Sequence, residues 1–241
     1  MLQGKKILIV LPAFEAEKTL EKTVRSIPMD IVDDVLLVDD ASSDETLRVA
    51  QELGIRTFRH PENRGYGGNQ KTCYRHALKS GAEYIIMIHP DYQYDSRVIP
   101  AAVEFLKLGI CDVMMGSRIR TRREAIDGGM PSWKYLANRF LTITENVALG
   151  QNLGDFHSGF RAYRREVLEA VNFRLNNDAF IFDQEIVAQI VEAGFRIEEV
   201  PVPTRYFAEA SSAGFFPSLR YGLGILWLTG RYLAHRKNWV P

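Results

Sequence analysis

The feature that most constrains the fold is a regular alternation of short apolar runs with segments of helical periodicity. Apolar runs typical of buried strands occur at positions 7–11, 34–38, 55–58, 84–88 and 112–115. Helical spacing of apolar residues follows at positions 17–27, 45–53, 70–80 and 98–108. Strands that alternate with helices form βαβ units, which build a parallel sheet with helices on both faces. The sequence therefore predicts an α/β fold with a mostly parallel central sheet.

The second half of the chain continues this pattern less regularly. The segment 119–131 is rich in arginine and glycine, which is typical of a mobile surface loop. Further helices are expected at 135–149 and 182–193, and further strands at 156–163 and 197–202. With 241 residues and 46% hydrophobic content, the chain can bury one sizeable core. We expect one domain over residues 1–217, followed by an amphipathic helix at 218–241.

Composition and the first apolar run limit the binding partners and the location that the chain can have. Thirty basic residues balance thirty acidic ones, so no global field draws the chain to nucleic acid. Cys73 and Cys111 match no metal or redox spacing, which favours reduced thiols and a cytoplasmic location. Pro12 and Glu15 interrupt the first apolar run, which makes it a strand rather than a secretory signal. We expect a function that resides in a local cleft, and the sequence gives no indication of the oligomeric state.

Three side chains that can bind a metal follow the central strand. His89, Asp91 and Gln93 alternate with Pro90 and Tyr92, and in extended backbone such alternate residues point to one side. Open α/β sheets bind their ligands beyond the carboxyl ends of the strands. The pattern predicts a metal-binding or ligand-binding group here, and the alternative is a polar turn before the next helix.

Two other segments are candidates for contacts with a ligand. Asp39 and Asp40 follow a buried strand, so we expect at least one of the two carboxylates to face the ligand crevice, and the alternative is a cap for the next helix. Gly65, Gly67 and Gly68 lie in a loop before a helix, where the backbone can approach a phosphate closely. The loop matches neither the dinucleotide fingerprint nor the P-loop.

The C-terminal segment is apolar, aromatic and basic. Ten residues lie between Arg220 and Arg231, far fewer than the roughly 20 apolar residues of a membrane-spanning helix. Tryptophan and tyrosine next to basic residues suit a helix that lies in the headgroup region, so peripheral membrane contact through 219–239 is one interpretation. A helix packed on the domain or on another subunit is the other.

The order of short motifs resembles an inverting family 2 glycosyltransferase of the GT-A fold, similar to the transferases that act on dolichol phosphate and other polyprenyl phosphates. The resemblance extends from position 7 to about 222. It rests on an ordered set of motifs: LPAF at 11–14, VDDASSD at 38–44, NRGYGG at 63–68, GSR at 116–118, DFHSGFRAY at 155–163, FDQE at 182–185 and EVPV at 199–202.

The resemblance implies a set of donor-binding residues. In the family, a proline and an aromatic residue after the first strand, here Pro12 and Phe14, hold the nucleotide together with an acidic pair, here Asp39 and Asp40. Positions 15 and 16 depart from the Asn-Glu of the family, so the identity of the base stays open.

A divalent cation is the cofactor that the resemblance implies. The Asp-x-Asp-x-Gln motif of the family corresponds here to His89, Asp91 and Gln93. A neutral imidazole is softer than a carboxylate, which favours Mn²⁺ over Mg²⁺ relative to a typical member. Alternatively, His89 only contacts the donor, and Asp91 alone anchors the ion through the diphosphate.

The reaction also requires cations where the nucleoside diphosphate departs, because negative charge grows there in the transition state. The resemblance places Arg118, Arg139 and Arg161 around the donor diphosphate or an acceptor phosphate. Asp183 is the candidate general base for a hydroxyl acceptor, whereas with a phosphate acceptor it would only orient the groups around it.

The sequence therefore predicts transfer of a hexose from a GDP-mannose or UDP-glucose type donor to a polyprenyl or dolichyl phosphate. We expect this chemistry in the cytoplasm. The C-terminal segment is expected to attach the protein peripherally to the membrane. Two alternatives stay open: the same chemistry on a soluble sugar or protein hydroxyl, and a noncatalytic protein that binds a nucleotide sugar.

Overall fold

One sheet forms the centre of the protein. The computed structural model describes residues 4–118, 123, 130–205 and 215–236. Within them, seven strands pair in the order β3-β2-β1-β4-β6-β5-β7. The strands are β1 (Ile7–Ala13), β2 (Asp34–Asp39), β3 (Arg56–Arg59), β4 (Tyr84–Met87), β5 (Val113–Ser117), β6 (Arg161–Arg164) and β7 (Ile197–Pro201). All neighbouring strands are parallel except at β6, which is antiparallel to both β4 and β5.

Helices cover both faces of this sheet. They are α1 (Leu20–Ser26), α2 (Thr46–Glu52), α3 (Gly65–Lys79), α4 (Ile99–Lys107), α5 (Ser132–Leu149), α6 (Arg165–Ala170), α7 (Phe182–Glu192) and α8 (Phe215–Arg236). None of these helices is long and apolar enough to cross a lipid bilayer. The prediction of a mostly parallel α/β sheet with helices on both sides is confirmed.

The burial of β1 shows why the first half folds as the apolar pattern predicts. All seven of its residues are buried, because β2 and β4 flank the strand and helices cover both of its faces. Alternate side chains enter different cores: Ile7, Ile9 and Leu11 pack in one, and Leu8 and Val10 pack in the other. A continuous apolar run is therefore a strand buried on both faces.

Two predicted elements differ from the structure. The helix predicted at 70–80 begins at Gly65, so the glycine-rich loop is in fact its first turn. The strand predicted at 156–163 is reduced to Arg161–Arg164, because the residues before it form a loop. Most of the arginine-rich segment 119–131, and residues 237–241 of the predicted C-terminal helix, lie outside the described residues.

The direction of the strands places several loops at one edge of the sheet. β1, β2, β4 and β5 end at this edge, and the reversed strand β6 begins there. Met87, near the end of β4, is paired with Arg161 at the start of β6. The loops after β4 and before β6 therefore meet, as expected for the ligand-binding edge of an α/β sheet.

Candidate functional site

Two cavities lie at this edge and meet along a shared wall. The first, the β1 cavity, has a volume of about 710 Å³ and is lined by Pro12, Phe14 and Asp40 among others. The second, the α5 cavity, has a volume of about 240 Å³ and lies against α5 and α8. Four residues line both cavities, namely Tyr66, His89, Asp91 and Phe180. A ligand that spans both cavities would therefore pass the end of β4.

The segment after β4 is a turn and not an extended strand. The backbone N–H of Gln93 donates to Oδ1 of Asp91 over 3.0 Å, and Tyr92 has a positive φ of 58°. The geometry expected from strand alternation is therefore wrong. His89 and Asp91 nevertheless line both cavities, and Gln93 lines the α5 cavity, so the turn brings the three side chains to one place.

A hydrogen-bonded chain connects this turn to α7. The Tyr66 hydroxyl donates to Oδ2 of Asp183 over 2.6 Å, and Gln70 Nε2 donates to Oδ1 of Asp183 over 3.1 Å. Burial, followed by the charge of Asp183, raises the pKa of Tyr66 well above its ordinary value, so the phenol stays protonated. Asp183 is thus held between two donors on α3.

The same hydroxyl sets the tautomer of His89. Tyr66 uses its proton on Asp183, so its oxygen accepts from Nε2–H of His89, which lies 3.1 Å away. This leaves Nδ1 of His89 as the nitrogen whose lone pair can bind a ligand. A glycine makes room for the ring, because a Cβ on Gly159 would lie 2.8 Å from Nε2 of His89.

The acidic pair is divided between two environments. Asp40 lines the β1 cavity, but its Oδ1 accepts from the backbone N–H of Arg64, and its Oδ2 accepts from that of Gly65. His60 Nδ1 lies 2.7 Å from Oδ1 of Asp40. Asp39 is fully buried, 3.3 Å from Nε of Arg59, and is not on the cavity wall. Of the acidic pair, Asp40 is therefore the carboxylate that lies on the wall of the crevice, where at least one of the two was expected.

The glycines of α3 pack against another loop and do not present free amides to a phosphate. The N–H groups of Gly67 and Gly68 donate to the Asp178 carbonyl, and that of Gly65 donates to Asp40. A Cβ on Gly67 would lie 2.7 Å from Cβ of Phe182. The prediction that this loop cradles a phosphate is thus corrected, because close packing uses the glycines and their amides.

The predicted arginines are not equivalent. Arg118 lines the α5 cavity and makes two hydrogen bonds to the buried Asp155, Nε to Oδ2 at 2.7 Å and Nη2 to Oδ1 at 3.1 Å. Burial alone would raise the pKa of Asp155, but Arg118 holds it well below its ordinary value. Arg139 donates to the Gly154 carbonyl over 2.6 Å, which braces the loop before β6.

Arg161 is not available to a ligand. Its side chain is fully buried, and its guanidinium donates to the carbonyls of Phe156, Ser158 and Asp183. Burial would lower the pKa of Arg161, but the Asp183 carboxylate and the nearby tyrosine side chains together outweigh it, so the pKa is raised. The prediction of a direct role at a diphosphate is therefore corrected: Arg161 organises the loop that carries His157 and Gly159.

Sequence reasoning missed a polar cluster at the α5 cavity, which has His157 and Tyr221 on its wall. Oε2 of Glu145 lies 3.3 Å from Nε2 of His157. Nδ1 of His157 lies 3.1 Å from Nε2 of Gln184 and 3.3 Å from the Tyr221 hydroxyl. Burial raises the pKa of Glu145 to about 8 and lowers that of His157 to about 4, so the pair is uncharged at neutral pH. These residues come from separate helices and a loop, and no local spacing could have indicated them.

Few of the described side chains at the wall between the two cavities can bind a metal ion. Within the described residues, no three His, Cys, Asp or Glu side chains come together in a way that could hold a metal ion. His89 and Asp91 supply one imidazole and one carboxylate on the wall between the two cavities. Such a sparse set fits an ion whose other positions are filled by substrate phosphates and water, as is usual for Mg²⁺ and Mn²⁺ with nucleotides.

Comparison with solved structures agrees with this architecture. A glucosyl-3-phosphoglycerate synthase from Mycobacterium tuberculosis, crystallised with Mn²⁺ and UDP-glucose, superposes with a TM-score of 0.72. It is 19% identical to this chain, and the match covers 96% of this chain and 80% of the synthase. The fold is therefore the GT-A fold, as predicted.

Two curated relatives are similar over most of their length. One is the UDP-N-acetylglucosamine–dolichyl-phosphate N-acetylglucosaminyltransferase of Methanococcus voltae, 24% identical, with 88% of this chain and 91% of the relative covered. The other is the undecaprenyl-phosphate mannosyltransferase of Micrococcus luteus, 24% identical, with 92% of this chain and 96% of the relative covered.

A family model identifies the chain itself. The model of glycosyl transferase family 2 matches residues 8–171, which is more than half of the chain. The match includes β1 to β6, the turn with His89 and Asp91, and the loop with His157 and Gly159. The protein therefore belongs to glycosyl transferase family 2 and is a glycosyltransferase.

Proposed function

We propose that the protein transfers a hexose from a nucleoside diphosphate sugar to a polyprenyl phosphate, with inversion at the anomeric carbon. One observation carries this proposal: two cavities of different character share a wall formed by Tyr66, His89 and Asp91. The β1 cavity would hold the nucleotide, and the α5 cavity would hold the acceptor. The transferred sugar would lie where the two meet.

The β1 cavity has features suited to a nucleotide. Phe14 is 53% exposed beside Pro12, which offers an apolar surface for a base. Asp40 and Arg64 lie on the same wall and could contact the ribose and the phosphates. The cavity leads to Asp91, so the diphosphate would come to lie near the shared wall.

The residues at this wall could hold a divalent cation. His89 through Nδ1, Asp91 through its carboxylate and Gln93 through its amide oxygen are the residues that would hold it. When bound, the ion supplies charge stabilisation for the departing nucleoside diphosphate. The Mycobacterium tuberculosis synthase, which shares the fold, is crystallised with Mn²⁺ and UDP-glucose, and this supports the choice of metal and donor class.

The α5 cavity suits a phosphate joined to an apolar chain. Arg118 and Lys134 lie on its wall together with Trp133 and Leu141. Burial, and then the charge of Arg118, lowers the pKa of Lys134, so an anionic ligand beside Lys134 would favour its charged form. The named activities of the Methanococcus voltae and Micrococcus luteus relatives support a polyprenyl phosphate as the acceptor.

A phosphate acceptor needs no general base. One of its oxygens attacks the anomeric carbon while the bond from that carbon to the donor diphosphate breaks, and no proton has to be removed. Asp183 accepts hydrogen bonds at both oxygens, from Tyr66 and Gln70, which suits an orienting role. We therefore propose that Asp183 fixes Tyr66, and through it His89, rather than deprotonating the acceptor.

A soluble phosphorylated acceptor is the second candidate. The same cations, Arg118 and Lys134, would bind the phosphate of a small acid. The solved synthase has also been crystallised with phosphoglyceric acid. The exposed apolar wall at Trp133 favours the lipid over this alternative.

A matrix of donors and acceptors tests the proposal. The purified chain with Mn²⁺ would be incubated with UDP-glucose, UDP-N-acetylglucosamine or GDP-mannose, each with a short polyprenyl phosphate, 3-phosphoglycerate or water. We expect a glycosylated polyprenyl phosphate, detected by mass spectrometry, with one of these donors. Product only with 3-phosphoglycerate would establish the soluble acceptor, and nucleotide binding without any product would overturn the proposed transfer.

A further inference from the structure

Helices α5 and α8 leave a large apolar surface exposed. Along α5 the exposed side chains are Trp133, Leu136, Phe140, Ile143 and Val147, with exposures from 42% to 80%. Their spacing of three and four residues places all of them on one side of the helix. Scattered exposed apolar residues are ordinary, but a continuous stripe over four turns indicates a surface that contacts something.

The neighbouring helix α8 extends this surface. Leu219, Leu223 and Trp227 are 50%, 60% and 64% exposed and are four residues apart. The two helices pack side by side, with Leu141 of α5 lying 3.6 Å from where a Cβ on Gly222 would be. We call the two stripes together the α5–α8 face.

The charged residues of the two helices are almost all basic. Across 132–149 and 215–236 the sequence contains one carboxylate, Glu145, which is 2% exposed. Arg220 and Arg231 are exposed on α8, and the Arg231 guanidinium lies 5.5 Å from the centre of the Trp227 ring. The whole chain has equal numbers of acidic and basic residues, so this face is selectively depleted of negative charge.

We propose that the α5–α8 face is a docking surface for an anionic lipid bilayer. Exposed tryptophan and leucine would enter the interfacial region, and the arginines would contact lipid phosphates. A second copy of the chain fits less well. In a symmetric dimer the same patch meets itself, which would bring exposed arginines together without a carboxylate to offset them.

The α5–α8 face lies next to the α5 cavity. Trp133 belongs to the exposed stripe and also lines the α5 cavity, and Ser218 and Tyr221 bring the start of α8 to the same cavity. Docking would therefore hold the cavity mouth at the depth of the lipid headgroups. In this respect the inference rests on the proposed function, because it places the cavity where a lipid phosphate is found.

Vesicle binding tests the face without any substrate. The wild-type chain would be floated with neutral phosphatidylcholine vesicles and with vesicles that contain phosphatidylglycerol, neither of which includes a polyprenyl phosphate. We expect binding to the anionic vesicles that weakens with added salt. The double variant F140E/I143E, which places charge in the apolar stripe, should bind at least about tenfold more weakly.

Leu108→Glu provides the matched control. Leu108 is 65% exposed at the end of α4, which packs on the other face of the sheet from α5 and α8. This variant should bind vesicles like the wild type. Circular dichroism melting would show that each variant is folded.

Three results would overturn the proposal: no vesicle binding by the wild type, equal binding by F140E/I143E, or a wild-type dimer that F140E/I143E converts to a monomer. A wild type that binds vesicles but glycosylates no polyprenyl phosphate would refute the proposed function and leave the docking surface standing.

Discussion

The hydroxyl group of Tyr66 lies 2.6 Å from Oδ2 of Asp183, although 117 residues separate the two in the chain. The same hydroxyl is 3.1 Å from Nε2 of His89. One phenol therefore connects α3, α7 and the turn after β4, and it determines which nitrogen of His89 can face a ligand. If His89 binds a metal ion as proposed, the residues that orient it should matter for metal affinity nearly as much as the histidine itself.

Replacing Tyr66 by Phe should remove this connection while preserving the packing of the ring. We expect kcat/KM to fall by about 10- to 100-fold and Mn²⁺ to bind more weakly in calorimetry. Tyr84→Phe is the matched control, since it removes a hydroxyl from the opposite end of β4. Unchanged Mn²⁺ affinity in Tyr66→Phe would show that the hydroxyl does not position His89.

Adding a methyl group at Gly159 should displace the His89 ring. The new Cβ would lie 2.8 Å from Nε2 of His89, closer than side-chain carbons pack. We expect Gly159→Ala to lower kcat/KM by at least about tenfold, because small displacements of a positioned group are costly. In Gly230→Ala the added Cβ has no atom within 4 Å, so this control should keep full activity and match or exceed the wild-type stability.

Removing the charge of Asp91 should abolish turnover without disturbing the turn. In Asp91→Asn the amide oxygen can still accept from the N–H of Gln93, as Oδ1 does in the wild type. If the carboxylate holds the cation, turnover at saturating Mn²⁺ should fall by at least about a hundredfold. Asp30→Asn, at an exposed position, is the control. If Asp91→Asn released the nucleoside diphosphate at the wild-type rate, this role of the carboxylate would be ruled out.

Arg161 should be required mainly for stability. Arg161→Met would leave the carbonyls of Phe156 and Ser158 and the carboxylate of Asp183 without their buried partner. Breaking a buried charged network in this way costs about 3–5 kcal/mol, which urea unfolding would measure. Arg174→Met, at an exposed position, should cost little. Wild-type stability with lost activity would instead support the direct catalytic role predicted from the sequence.

Glu145 should make the protein less stable as the pH rises. Its pKa of about 8 in the folded state lies above the ordinary value of 4.5, so the folded chain holds a proton that the unfolded chain has lost. His157 has a lowered pKa of about 4, and it is neutral in both states above about pH 7.5. From pH 6.5 to 8 stability therefore falls with rising pH by on the order of 1 kcal/mol, because the loss of the Glu145 proton in the folded chain outweighs the smaller, opposite effect of the proton that His157 loses in the unfolded chain.

Glu145→Gln tests this origin of the pH dependence, because it keeps the shape of the side chain but cannot ionise. Its unfolding free energy, measured by urea at pH 6.5 and pH 8.5, should change less than that of the wild type. Glu192→Gln changes an exposed carboxyl on α7 and should retain the wild-type dependence. An equal pH dependence in Glu145→Gln would show that another group is responsible.

The sequence predicted best where local pattern alone decides the structure. The apolar run of β1 is buried on both faces, and the position of the site at the end of β4 follows from strand direction. His89 and Asp91 were found because they are close in sequence. The geometry of this segment could not be predicted, because the turn at Tyr92 depends on a hydrogen bond from the backbone N–H of Gln93 to the Asp91 side chain.

The sequence predicted poorly where the outcome depends on distant partners. Arg161 has the same chemistry as Arg118, yet one is fully buried and the other lines a cavity. The glycines of α3 serve packing against the segment at Asp178 and Phe182, which is more than a hundred residues away. The Glu145–His157 pair likewise joins a helix to a loop that only the sheet topology brings together.

The reversed strand β6 also constrains how the protein can be assembled. Both strands that pair with β5 come after it in the chain, so β5 has no neighbour among the strands synthesised before it. β6 in turn is the strand that joins β5 to the four strands β1 to β4. As the chain is synthesised, β5 therefore has no strand to pair with until β6 has left the ribosome, and only then can the seven-stranded sheet form.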